Sequence, residues 1–395
     1  MSARSAGAVT AAELVTRAEA LTAELAARAA GDWERTYLPE NTASVRAAEL
    51  PLLTVPAEWG GPGGSLAEAS AAVRAVARGD ASTGLILAMH YIQSAKLFHD
   101  TDARLEPLAK AVLHDSSLLS GTASEQRSGP PSRGGRIDSV GRPVPGGWEL
   151  SGRKRYVTGS LALGHLVVAA QVGDATGGLG QFLVPLPARG VTIDENWRTA
   201  GLRGTASNDV LFEAVALPPE ALLARAPLGP GRPVDPVFSR YWPVLLASVH
   251  LGIGEAAQAE AYAFTRSPRN DGEEGVLADL PRIRERAARI ELEIHRARLL
   301  LRDAVERYDP AGARADALTA PQAAAVKLTV HQHATDAADH AGRLIGAASI
   351  WLDHPVQRHL RDLRVALHNP PAEDVVLADL GSAVLAAVPT AAPET

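Results

Sequence analysis

The sequence predicts a mainly helical α+β protein built as helices, then a small β module, then a helical bundle. Three observations carry this. Aromatic residues make up only 4% of the chain, and Ala and Leu, strong helix formers, take their place. Apolar residues recur every three or four positions at both ends of the chain. Between them lies a stretch of short β-rich runs separated by Gly and Pro.

The first part, residues 1–117, reads as an N-terminal helical domain. Thr10 followed by Glu13 fits a capping box, and Leu14, Leu21 and Leu25 follow at helical spacing. Four glycines and two prolines in Pro56–Gly64 predict a turn. Helices are expected over 66–80 and 83–98. The texture changes near Leu118. Runs at Trp148–Leu150, His165–Ala169, Phe182–Val184, Val191–Ile193 and Val210–Phe212 predict a middle antiparallel β domain over 118–225. Long helices return after Pro236. Ile283, Ala287, Ile290, Ile294, Leu301 and Val305 mark one apolar stripe, and Ala323, Val326, Val330, Ala334, Ala337, Ala341 and Ile345 another. Such stripes predict a C-terminal four-helix bundle over 235–388. The tail, Pro389–Thr395, is expected to be disordered.

Composition removes several function classes. With no cysteine there is no thiolate nucleophile, disulfide or Cys metal site. A net charge of −6 argues against nucleic acid as a partner. The N-terminal segment lacks an apolar core of signal-peptide length, and the apolar stretch Val375–Val388 is broken by Asp379. A cytoplasmic protein with no membrane partner is therefore expected. His331 and His333 stand two apart, on different helix faces, and HExxH does not occur, so no metal site is expected. No GxGxxG stands in a strand-to-helix setting, which leaves a Rossmann nicotinamide site unsupported.

Four motifs, in order along nearly the whole chain, resemble the acyl-CoA dehydrogenase superfamily. They are VPAEWGGPGG (55–64), LSGRKRYVTGS (150–160), GLRGTASNDVLFEAVALP (201–218) and HPVQRHLRDLR (354–364). The resemblance implies an acyl-CoA dehydrogenase-like fold, a homotetramer and a bound flavin, FMN or FAD. It also implies a catalytic Glu shortly after the Arg-Asp dipeptide, here Arg361-Asp362; that place falls at about Pro370. Some members carry the base on the first bundle helix instead, here near Trp242, and no carboxylate lies between Asp235 and Glu255. Neither place holds a carboxylate base.

What stands there instead resembles the two-component flavin monooxygenases of the dibenzothiophene monooxygenase type. Leu367-His368-Asn369-Pro370 resembles their loop, His90-Tyr91 their early-helix pair, Trp197 before Gly201-Leu202-Arg203 their aromatic, and Gly121-Thr122-Ala123-Ser124 their Asn-Ala-Ser-Ser run. The resemblance makes His368, His90 and Thr158 the catalytic candidates. Thr122, Ser124, Tyr156, Thr158, Gly159, Arg266, Arg343 and Gly346 become cofactor-binding candidates, and Tyr91 and Trp197 substrate-binding ones. A Thr hydroxyl can donate and accept at a flavin nitrogen, and an imidazole titrating near neutrality suits proton transfer to bound oxygen. Each residue also has a plain alternative: a strand-end Thr, a solvent-facing loop His, a core His among Leu85, Leu87, Met89 and Ile92, a surface Arg. The favoured function is the oxygenase component of a two-component monooxygenase. It takes reduced flavin from a separate reductase and acts on a small, largely apolar substrate. The alternatives are an acyl-CoA dehydrogenase using FAD, and a non-catalytic relative of the same fold.

Overall fold

A computed structural model describes residues 9–30, 37–99, 102–125, 137–227, 235–269, 274–309 and 313–387. The tail Pro389–Thr395 lies outside them. The chain forms two compact units, 1–238 and 239–395.

The first unit opens with helices α1 (Ala11–Ala29), α2 (Pro39–Ala47), α3 (Leu66–Gly79), α4 (Ala81–Phe98) and α5 (Glu106–Asp115). The Thr10–Glu13 capping box forms as expected, and Ser65–Glu68 forms a second at α3. Asp80 ends α3 and caps α4, accepting from the Ser82 and Thr83 backbone N–H groups. The turn at 56–64 is real and needs its glycine: a Cβ on Gly61 would lie 2.3 Å from the Val55 carbonyl oxygen. Helix α4 is buried on nearly every face, which fits its uniformly apolar sequence better than an amphipathic stripe would.

The β module follows: β1 (Leu118–Thr122), β2 (Val140–Val144), β3 (Gly147–Val157), β4 (Leu163–Val172), β5 (Leu179–Pro185), β6 (Val191–Asp194), β7 (Asn208–Leu217) and β8 (Leu222–Ala226). They make one sheet in the order β6-β7-β3-β2-β4-β5-β8, with β1 paired to β4. The expectation of an antiparallel sheet needs correction. β1 and β2 both run parallel to β4, and the remaining pairs are antiparallel. β1 enters the sheet from the helical part and not from a hairpin, so nothing forces it to be antiparallel. β2 (VGRPV) escapes a sequence reading because it carries both Gly and Pro. Its Gly141 has a packing reason: the Phe182 ring, wholly buried in the sheet core, fills the place of a Cβ, 2.3 Å away.

The second unit holds α6 (Pro236–Phe264), most of whose residues it contains, with α7 (Pro281–Glu306), α8 (Ala320–Ile345), α9 (Pro355–Ala366) and α10 (Glu373–Ala386). Both expected stripes face inward: Ile283, Ile290, Ile294 and Leu301 on α7, and Ala323, Val330, Ala334, Ala337, Ala341 and Ile345 on α8, are buried. Gly254 lets α6 close on its neighbours, since a Cβ there would sit 3.1 Å from Ala334 and Ile294. No described helix is long and apolar enough to cross a membrane.

Candidate active site

In the first unit the candidate residues gather where β3 ends. A bulge interrupts the β3–β7 pairing between Lys154 and Val157. Beside it Tyr156 takes a φ of 58° and is 56% exposed. The left-handed region is costly for an aromatic residue, and strain of this kind is concentrated at functional sites. The ring is held from two sides: the Arg155 guanidinium lies 5.2 Å over it, and Trp197 meets it edge-on at 6.2 Å. Trp197 is itself fixed. Its indole N–H donates to the Leu202 carbonyl at 3.0 Å, and its backbone N–H to Asn208 Oδ1 at 3.0 Å.

The bulge is anchored from beneath by a pair that the sequence reading missed. Lys154, with no exposed surface, pairs with Glu125, which also accepts from Ser139 Oγ at 2.7 Å and from the Ser139 N–H at 3.1 Å. Burial pushes the Glu125 carboxyl up. Hydrogen bonds from Lys154, Ser139 and the Asp138 N–H outweigh it and hold the group below the usual range.

Two residues on, the Thr158 hydroxyl lies 3.0 Å from Ser207 Oγ, which lies 2.8 Å from Thr205 Oγ1. Gly159 follows with a φ of +77°, its N–H donating to the Thr205 carbonyl. On β1, Ser120 and Thr122 point to the same side. Their hydroxyls, together with Gln93 Nε2 on α4, are buried and have no hydrogen-bond partner. Ser124 is partly buried, and its carbonyl accepts from the Arg155 N–H. Buried polar atoms are normally satisfied. Unspent hydroxyl groups are what the polar edge of a heteroaromatic ring system such as flavin would use, so Ser120 and Thr122 fit that cofactor, whereas Gln93 lies on the opposite face of β1, against Gly121.

Two expectations fail here. His90 was expected at the chemistry and is instead core. It is wholly buried, Nδ1 accepts the Leu119 N–H at 3.0 Å, and Nε2 faces the Pro51 carbonyl at 2.8 Å. Neither nitrogen is left for a substrate, and burial pushes its pKa down to about 4. Tyr91, expected to bind substrate, is also fully buried, and its hydroxyl donates to the Leu50 carbonyl at 2.8 Å. Both side chains tie α4 to backbone groups around it.

In the second unit the loop after α9 brings His368 to the surface, its N–H donating to the Val365 carbonyl. The loop is pinned from inside by Lys327, a buried cation on α8 that donates to the Asn369 and Pro371 carbonyls, the latter at 3.0 Å. Burial lowers the Lys327 pKa to about 8. Next along α8, His331 stacks edge-on against His250 of α6 at 4.9 Å, and burial lowers the pKa of both. His333 turns the other way and pairs with Glu293 at 2.6 Å. With Asp336 these form the one group among the described residues whose spacing could suit an ion. The Trp242 indole N–H donates to the Pro370 carbonyl at 2.6 Å. Glu255, the first carboxylate after Asp235, is buried against Arg298 at 2.7 Å.

The basic candidates stand at the unit's surface. Arg266 is exposed in a hollow that Tyr262, Thr265, Ile283 and Ala287 also line. Arg343 is exposed and paired with Asp339 at 2.6 Å, and Gly346 ends α8 with open space beside it.

A helical part, a sheet that ends in a polar, strained strand terminus, and a helical bundle together make an acyl-CoA dehydrogenase-like three-part fold. Family models for the N-terminal, middle and C-terminal domains of acyl-CoA dehydrogenases match residues 10–100, 123–215 and 244–367. The chain belongs to the acyl-CoA dehydrogenase family, and with it to the flavin-dependent oxidoreductases. It is 31% identical over 359 residues to the putative acyl-CoA dehydrogenase YdbM of Bacillus subtilis, covering 90% of this chain and 92% of that one. It is 26% identical over 344 residues to the probable FMNH2-dependent monooxygenase SfnC of Pseudomonas putida, covering 83% of each. The FMN-bound structure of TdsC from Paenibacillus sp. A11-2 shares its fold, with a TM-score of 0.80, 20% identity and coverage of 96% and 99%.

Proposed function

We propose that this enzyme is the oxygenase component of a two-component flavin monooxygenase. It would accept reduced flavin from a separate reductase and insert one oxygen atom into a small, largely apolar substrate. One observation carries the reading. At the two places where family resemblance puts a dehydrogenase base, the chain has Trp242 and Pro370, hydrogen-bonded to each other at 2.6 Å. Removing the α-proton of a thioester needs a base within reach, and an indole bonded to a proline carbonyl supplies none. Glu373 and Asp374, next in sequence, are exposed in the first turn of α10, where they favour the helix N-terminus.

In the first unit Thr158, Gly159, Thr122, Ser124 and Tyr156 would hold the flavin ring; in the second, Arg266, Arg343 and Gly346 are the phosphate-binding candidates. When bound, flavin supplies the electrons and the oxygen-activating carbon. The chain's own residues would position it, exclude water and deliver a proton, with His368 as the donor. Trp197 would wall the substrate pocket. The exposed apolar side chains Leu377, Val384 and Leu385 on α10, with Ile350 and Trp351 before α9, support a homo-oligomer, a tetramer in our reading, in which they are covered.

The dehydrogenase reading has its own support in the 31% identity to YdbM. Anaerobic mixing with saturated acyl-CoA separates the two. The monooxygenase reading expects no bleaching of bound FAD or FMN at any common chain length, and rapid oxygen consumption once reduced FMN is supplied. Bleaching by one such thioester overturns it.

A further inference from the structure

The hydroxyls behind Thr158 form a chain with only one self-consistent direction. Its inner end is the Leu202 carbonyl, which can only accept. Thr205 Oγ1 donates to that carbonyl at 2.8 Å. A hydroxyl has a single hydrogen, so the 2.8 Å contact between Thr205 and Ser207 must use the Ser207 hydrogen. The 3.0 Å contact between Ser207 and Thr158 must then use the Thr158 hydrogen. Thr205 is wholly buried and Ser207 nearly so, so water does not compete for these partners.

The backbone locks the arrangement. Leu202 and Ala206 both adopt left-handed φ values, 49° and 42°. Three bonds tie this strained loop to the Thr158 turn. The Gly159 N–H donates to the Thr205 carbonyl, Ser160 Oγ donates to the Ala206 carbonyl at 2.7 Å, and Asn208 Nδ2 donates to Ser160 Oγ at 3.0 Å. The Leu202 carbonyl also accepts the Trp197 indole N–H, so the residue proposed to wall the substrate pocket shares the chain's anchor.

We infer that Ser207 and Thr205 are positioning residues that make Thr158 a hydrogen-bond acceptor toward the cofactor, so that the site selects reduced over oxidised flavin. The inference rests on the reading that Thr158 faces flavin N5. Reduced flavin carries a hydrogen on N5 and oxidised flavin carries a bare lone pair there. With its own hydrogen committed inward, Thr158 offers only lone pairs outward. These pair with the reduced N–H and repel the oxidised nitrogen. A subunit that must capture flavin in the reduced state and let it go after oxidation needs that preference.

The test measures dissociation constants for oxidised FMN and, anaerobically, for reduced FMN, with melting temperature as a check on folding. Wild type is expected to bind the reduced form more tightly. Ser207→Ala frees the Thr158 hydrogen to turn outward, so the oxidised-to-reduced ratio should fall about tenfold, the worth of one net hydrogen bond. Thr205→Val removes the anchor at nearly constant shape and should do the same, while Thr205→Ser restores the hydroxyl and should restore the ratio. Should Ser207→Ala fail to fold, the Thr205 pair carries the test alone. If Thr158→Ala weakens flavin binding but Ser207→Ala and Thr205→Val keep the wild-type ratio, the inference is overturned. If Thr158→Ala leaves both constants unchanged, the assignment of Thr158 to the flavin is what fails.

Discussion

His90 Nδ1 accepts the Leu119 backbone N–H at 3.0 Å, which joins α4 to the first strand of the β module through a side chain and not through the sheet ladder. The accepting Nδ1 places the ring hydrogen on Nε2, which donates to the Pro51 carbonyl. His90→Ala would orphan two buried backbone groups and open a cavity. The expected cost is about 2–5 kcal/mol in denaturant unfolding, with lost activity tracking lost fold. A variant with wild-type melting behaviour but no turnover would return His90 to the chemistry.

Burial lowers the pKa of five described histidines, His165 among them, and these weigh on the fold in acid. Burial, the largest cause in each case, holds His90 and His331 at about 4 and His250 and His359 well below their ordinary 6.5. Below pH 6.5 the unfolded chain takes up protons that the folded chain refuses, so folding loses stability as pH falls. Each histidine contributes at most about 1.4 kcal/mol per pH unit between its unfolded and folded pKa values. Denaturation midpoints should be nearly flat from pH 8 to 7 and fall steeply from pH 6.5 toward 4. A midpoint unchanged at pH 5 would mean these rings are hydrated in solution.

The sequence made the helices legible because their burial follows a period: the α7 and α8 stripes and the Thr10 cap stand where spacing puts them. The sheet was legible only in its apolar centres. β1 and β2 carry glycines at positions where Gln93 and Phe182 press on the backbone, and such contacts come from distant residues. Thr158, Tyr156 and Trp197 were singled out through motif resemblance, and the structure brings them to one strand end. Ser207 and Thr205 were missed although they lie in a polar run, Thr205-Ala206-Ser207-Asn208. Nothing local shows that a loop hydroxyl meets a residue 49 positions earlier. His90 misled because an apolar helix face looks the same whether the ring binds backbone or substrate.

The Glu125–Lys154 pair should be costly to break and cheap to replace. Lys154→Met leaves a buried carboxylate without its cation, and about 3–5 kcal/mol of stability should go. Because the folded Glu125 is held below its ordinary value of 4.5, its contribution is present above that pH and vanishes as pH falls through the folded value. Adding Glu125→Gln should recover much of the loss. If the double variant is as unstable as the single one, the pair's role is packing and not charge.

His368 should divide stability from chemistry in the opposite way to His90. It is exposed, outside both apolar stripes, and its loop is held by Lys327 through the Asn369 and Pro371 carbonyls. His368→Ala should therefore leave melting temperature and assembly intact. Flavin binding should change little, since the proposed ring and phosphate contacts come from other residues. If His368 delivers the proton, oxygenation should fall by about 10² to 10⁴, the range for one placed acid–base group. Oxygen uptake should continue with hydrogen peroxide as its product. The deciding quantity is product formed per reduced flavin consumed. Wild-type coupling in the variant would make His368 a loop residue only, whereas a collapse in melting temperature would make it structural. Retained fold with lost coupling is the pattern expected of a group that acts on the bound oxygen and not on the fold.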